Sequence, residues 1–353
     1  MTERGRIDWI DCLKGATVLL VVVYHGLLAY STVGAPDTLF SKLAYYANML
    51  LGSARMPSFF LCGGIVINLL KKDRLEWFLS KRFPFALWCI ILWTVIYATI
   101  ELLGLKLYPW GSLPYIAYKD LFIVPYGAIW FIYALFLMSF WGGLVRKLSP
   151  AIQYGLSILL CVVLIRVSEL DGLHVGQRHL LRSIALQGLP FFMLGVCFGR
   201  LILDGLSQRY RALEVAFVAA AFLTSVAWMG PFANLPETYL RMFPITALFI
   251  VAVRLCSDSQ LFHTTFSKIG TVSLEVFLSH QIVLALLFLV AGRYISSMWP
   301  PLGITFFTVG TVAATVIICI AMPTWLRKLL FTTPAWFYAL TERLTGVDRV
   351  ART

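Results

Sequence analysis

The sequence predicts an all-α, polytopic membrane protein of about ten transmembrane helices. Three observations predict it: an apolar composition, ten apolar runs long enough to cross a bilayer, and an uneven sharing of basic residues between the segments that join them. The 353 residues are 60% hydrophobic and 13% charged, with a mean hydropathy of +0.83. Soluble domains carry about 25% charged residues, because a chain of this length needs polar groups to cover itself in water. A surface that faces hydrocarbon has no such need.

A helix needs about 20 apolar residues to cross the hydrocarbon core. Runs of that size fall at 10–31, 43–70, 83–103, 127–145, 151–168, 183–203, 211–229, 239–256, 267–291 and 303–325. None alternates with period two, which argues against a membrane barrel. The first run is long and is followed by no small-x-small cleavage site, so it reads as a retained span and not as a cleaved leader. The gap 104–126, with Pro109, Pro114, Pro125 and several aromatics, is expected at the interface. Residues 1–326 read as the membrane domain and 327–353 as a basic cytoplasmic tail, in which Trp336, Phe337 and Tyr338 suit a surface helix.

Charge sets orientation. With a cytoplasmic amino terminus, 19 of the 29 Lys and Arg fall in inside segments and 8 in outside segments; Lys14 and Arg55 lie within spans. Basic residues concentrate on the cytoplasmic side, so both termini are expected there. The formal charge of +12 is spread over short loops and does not form a polar face, which argues against nucleic acid as a partner. The seven cysteines form no CxxC pair and lie mostly inside apolar runs, as small buried hydrophobes do. Five histidines without close spacing predict no metal site.

Ionisable residues inside a span are costly and point to function. The first run holds Asp11, Lys14 and His25. Eleven residues at 100° each is about 20° past three full turns, so Lys14 and His25 share a face, roughly 16 Å apart along the axis. Asp11 is placed to neutralise or orient Lys14. Lys14 alone also suits a side chain that snorkels to the interface; a histidine deep in the same apolar face does not. Arg55 in the second run, with Glu275 and His280 in the ninth, are candidates for a polar network in which Glu275 pairs with Arg55 or orients a histidine. Lys81 and Arg82 suit either topology or an anion clamp. Trp130 suits either interfacial packing or a ligand stack. His174 and His179 are expected in a solvated outer loop.

The string Arg6-Ile7-Asp8-Trp9-Ile10-Asp11-Cys12-Leu13-Lys14-Gly15, with His25 after it, resembles the first-helix signature of the acyltransferase 3 family of membrane O-acyltransferases, which includes the fucose 4-O-acetylase-like enzymes. Lys14 stands where arginine is commoner. Arg55-Met56-Pro57-Ser58-Phe59-Phe60-Leu61-Cys62-Gly63 resembles a second family stretch, with Cys62 where serine is usual. Ile129-Trp130-Phe131-Ile132-Tyr133, Phe191-Phe192-Met193-Leu194-Gly195 and Ser273-Leu274-Glu275-Val276-Phe277-Leu278-Ser279-His280 resemble later ones, in family order. The chain departs at the third span, where Lys81-Arg82-Phe83-Pro84 replaces a pair of arginines three apart.

The resemblance implies transfer of an acyl group, acetyl above all, from cytoplasmic acyl-CoA to a hydroxyl of a cell-surface glycan or glycoside, in a bacterial inner membrane. His25 then serves as general base or as acyl carrier, and the catalytic set also includes Lys14, which offers positive charge to the CoA phosphates, and Asp11, which neutralises or orients Lys14. Arg55, Lys81, Arg82, Trp130, Glu275 and His280 are expected to bind substrates. No permanently bound cofactor is implied. The expected partners are acyl-CoA, the glycan acceptor and membrane lipid, with assembly as a homo-oligomer left open. A secondary transporter or flippase is the competing reading, since carriers also bury charges among many helices.

Overall fold

Hydrocarbon offers no hydrogen bonds, so a chain this apolar must satisfy its backbone internally. The computed structural model describes residues 7–32, 39–70, 73–103, 127–228, 235–295 and 300–345, and among them there are helices and no strand. The gap 104–126, expected at the interface, lies outside the described residues.

The chain opens with α1 (Asp8–Thr32) and α2 (Leu39–Asn68). A short α3 (Arg74–Trp77) runs through a π-helical turn, Phe78–Arg82, into α4 (Phe83–Leu102). A 3-10 turn, Gly127–Ile129, leads into α5 (Trp130–Leu144), followed by α6 (Pro150–Ser168). α7 (Val175–Ser183) enters α8 (Leu189–Ser207) through a second π turn, Ile184–Gly188. Then come α9 (Arg209–Trp228), α10 (Leu235–Cys256), α11 (Gln260–Thr271) and α12 (Ser273–Ile295). α13 (Pro300–Thr305) and a third π turn, Phe306–Gly310, precede α14 (Thr311–Ala321), α15 (Thr324–Phe331) and α16 (Ala335–Thr345).

Each of the ten predicted runs overlaps a helix. Among the described residues, eight spans are long and apolar enough to cross a membrane, or nine if Arg241–Cys256 and Gln260–Thr271, bent by 119°, form one. One expectation is corrected: the run 267–291 is not a single helix. α11 ends at Thr271, and the chain turns at Val272 before α12 starts. Glycine explains why α11 lies where it does. A β-carbon on Gly15 would collide with the Phe266 carbonyl, and one on Gly270 with the Asp11 carbonyl. Two bare backbones therefore let α1 and α11 touch, as small residues do between membrane helices.

α1 is the hub, packing on α2, α11, α12 and the third π turn. At the end where α1, α4 and α12 begin, the chain also returns with α15. There Arg327 Nε lies 3.8 Å from Glu275 Oε1 and Arg327 Nη2 donates to the Cys319 carbonyl at 2.5 Å. α15 and α16 lie against α4: Trp93 Nε1 donates to the Leu330 carbonyl at 3.2 Å, and Trp88 meets Trp336 and Phe337 edge-on. The other faces of these two helices expose Trp325, Leu329, Trp336 and Leu344, an amphipathic arrangement suited to a bilayer surface.

Pro57, inside α2, shows how polar groups are handled within the spans. Proline has no N–H to give to the carbonyl four residues earlier, which is that of Ser53. Thr246 Oγ1 on α10 donates to that carbonyl at 3.1 Å. Thr246 is 2% exposed, so water cannot substitute. Thr246→Val keeps the shape and strands the carbonyl; we expect a loss of about 1–3 kcal/mol, measured as a lower Tm of the detergent-solubilised protein, and an unchanged Tm would contradict this account of Pro57.

Candidate active site

The site is built on α1. Near its start Asp11 Oδ1 lies 3.3 Å from Lys14 Nζ, so the lysine enters the bundle with its charge already partnered. The pair lines a cavity of about 500 Å³ whose other walls include Phe59, Cys62, Trp77, Arg82, Phe131 and Ser273. Arg82 belongs to the first π turn, and such insertions re-aim side chains within a helix. Its Nε is buried and has no hydrogen-bond partner, while its guanidinium carbon lies 5.8 Å from the centre of the Trp77 ring. Lys81, one residue earlier, is exposed and is not among the residues lining the cavity.

The cavity stops short of His25. Phe59 and Phe131 close its inner end and meet edge-on at 4.9 Å; Phe131 lies 4.6 Å from Phe277, itself 5.8 Å from His280. One layer of phenylalanine rings thus stands between the cavity and the histidines. These rings escaped notice in the sequence. The available signal was that each lies in a different motif stretch, so three separately recognised segments converge on one place.

Beyond the rings, His25 and His280 meet. His280 Nε2 lies 3.2 Å from His25 Nδ1, with ring centroids 4.9 Å apart. His25 Nδ1 also lies 2.9 Å from the Val21 carbonyl, and His280 Nδ1 lies 2.6 Å from that of Phe277. A carbonyl oxygen only accepts, so Nδ1 of His25 carries the ring proton and the lone pair is on Nε2. α12 is pinned on both sides of His280: Tyr97 donates to the Leu278 carbonyl at 2.5 Å, and the Ala128 N–H donates to Gln281 Oε1 at 3.0 Å. His280 itself is fully buried.

Arg55 lies away from the cavity, stacked 3.8 Å above the Tyr24 ring, with Nη1 donating to Asn48 Oδ1 at 3.2 Å. Tyr24 in turn meets His25 edge-on at 4.8 Å. No carboxylate lies within ion-pair distance of Arg55 among the described residues. Glu275, one partner the sequence offered for it, instead faces Arg327. His179 is exposed, as expected, but it lies on α7 and not in a loop, edge-on to Trp130 at 5.4 Å. Trp130 packs among Phe60, Phe131 and His179 and does not line the cavity.

Fold and site together define a multi-pass membrane protein with a polar, histidine-centred site inside the bundle. The acyltransferase domain family model matches residues 7–322, and the chain belongs to that family: it is a membrane acyltransferase. No curated protein and no solved structure is similar enough to match.

Arg55 is half-buried and held, among the described residues, by an aromatic ring and an amide; such a cation is uneconomic as a fold element, since desolvating a charge costs free energy. We therefore expect Arg55→Met to leave Tm unchanged or raised while lowering activity. A fall of several degrees in Tm would assign Arg55 to the fold instead.

Proposed function

We propose that this acyltransferase moves an acetyl group from acyl-CoA to a hydroxyl of a cell-surface glycan or glycoside, with His25 as general base. The observation that carries the reading is the imidazole of His25, whose Nδ1 is held by a backbone carbonyl inside the bundle, one ring layer from a cavity that holds Lys14 and Arg82.

The two ends of the cavity suit the two ends of the donor. Lys14 and the unpartnered Nε of Arg82 offer charge-assisted hydrogen bonds to phosphate oxygens. The inner end, closed by Phe59 and Phe131, suits a pantetheine arm carrying a short acyl chain. For the thioester to reach His25 these rings must part. The excess of basic residues at the Lys14 end supports a cytoplasmic entry, with both termini on that side of a bacterial inner membrane.

A sugar hydroxyl is a poor nucleophile until its proton is removed. Nε2 of His25 takes that proton as the oxygen attacks the thioester carbonyl. The resulting tetrahedral oxyanion carries a negative charge, and Arg55, stacked on the Tyr24 ring that meets His25, supplies a field that favours it. Collapse breaks the carbon–sulfur bond, and the imidazolium returns its proton to the departing sulfur, leaving acylated acceptor, free CoA thiol and neutral His25.

Incubation with labelled acetyl-CoA should release thiol in an acceptor-dependent manner. His25→Ala, folded to the same Tm, should lose about 10²–10⁴ in turnover; near-normal turnover would remove His25 from the chemistry. Arg82→Ala should raise KM for acyl-CoA while KM for the acceptor stays constant, and an unmoved CoA KM would exclude Arg82 from the donor site.

A further inference from the structure

His280 belongs to no step of that scheme, yet its environment is as constrained as that of His25. Two nitrogens 3.2 Å apart share one proton, and the two flanking carbonyls decide which ring supplies it. The Phe277 carbonyl, 2.6 Å from His280 Nδ1, requires a proton on that nitrogen. A neutral imidazole has one N–H, so His280 Nε2 is left with its lone pair and can only accept. The Val21 carbonyl places the proton of His25 on Nδ1. The reverse arrangement would bring lone pairs against both carbonyls. The hydrogen bond therefore runs from His25 Nδ1–H to His280 Nε2, in a chain that starts at the Phe277 carbonyl.

We propose that His280 is a positioning residue that holds His25 in the tautomer and orientation presenting Nε2 as the base. The proposal rests on the assignment of His25 as proton acceptor. When Nε2 takes the acceptor's proton, His25 becomes an imidazolium and its Nδ1–H becomes a charge-assisted donor. His280 then accepts the strengthened bond while its own Nδ1–H stays on the Phe277 carbonyl. A buried imidazole thus fills the place that a carboxylate occupies behind the base in a Ser-His-Asp triad. A neutral ring suits this location, because a carboxylate in a bilayer without a cation beside it is costly to keep ionised. The anchors around it serve the same end: Tyr97 and the Ala128 N–H, bonded to Leu278 and Gln281, fix α12 so that the ring cannot drift from His25.

Two readouts on the full-length protein in nanodiscs test this. In the first, ¹⁵N-histidine labelling, with His25 assigned by the signals lost in His25→Gln, should place the proton of His25 on Nδ1 and show a coupling across the hydrogen bond to His280 Nε2. A proton on His25 Nε2, or no coupling, overturns the proposal whether or not the protein turns over in the chosen assay. In the second, His280→Leu should lower kcat by about 100-fold, within the range that mispositioning a general base gives, with both KM values unchanged. His280→Gln, whose amide oxygen can accept at the same place, should stay within about 10-fold of wild type. Equal losses in both variants at equal Tm, or a change confined to KM, would overturn the proposal. Absence of thiol release from wild type would defeat the proposed function alone, leaving the spectrum to judge the histidine pair.

Discussion

Hydrocarbon cannot hydrogen-bond, so every polar atom that α1 and its neighbours carry into the bilayer has to find its partner inside the protein. That constraint explains most of the architecture. Pro57 frees the Ser53 carbonyl, and Thr246 reaches across from α10 to satisfy it. Glu275 is met by Arg327 from the helix that follows the last span. Lys14 enters with Asp11. His25 and His280 satisfy one another and two helix carbonyls. Backbones pressed together at Gly15 and Gly270 bring these groups within reach.

Among the described residues, buried hydroxyls such as those of Thr17 and Ser58 depart from this rule, and so do two cations. Arg82 keeps a buried Nε without a partner on the cavity side of the ring layer, and on the other side Arg55 faces an aromatic ring and an amide, with no carboxylate within ion-pair distance among the described residues. Positive charge is thus left over on both sides of His25. The proposed transfer from CoA needs it in two places, at the donor's phosphates and at the oxyanion. The Phe59, Phe131 and Phe277 layer stands between those places. It keeps the histidine pair out of contact with the cavity, and so with any water the cavity admits, which suits a thioester that must not be hydrolysed.

Much of this was legible in the sequence, for particular physical reasons. The runs of about 20 apolar residues located ten helices, and the eleven-residue interval put Lys14 and His25 on one face because helical geometry is local. What is local stops there. His280 was named as an intramembrane polar residue, but its partner lies 255 positions away, and no spacing rule links two helices across that distance. Arg55 was offered to Glu275 because both lie in spans; Arg327, the actual partner, begins what reads as a separate tail. The turn at Val272 was hidden because α11 and α12 are both apolar enough to read as one run. The ring layer was hidden because a phenylalanine in a membrane helix carries no signal of its own.

The most direct test of the account is a cryo-EM structure with a non-hydrolysable acetyl-CoA analogue bound in nanodiscs. The account places the phosphates against Lys14 and Arg82, the rings of Phe59 and Phe131 parted, and the acyl carbonyl carbon beside His25 with room for an acceptor oxygen about 3–3.5 Å from it. An analogue bound elsewhere, or one lodged in the cavity with the ring layer still closed between it and His25, would contradict it.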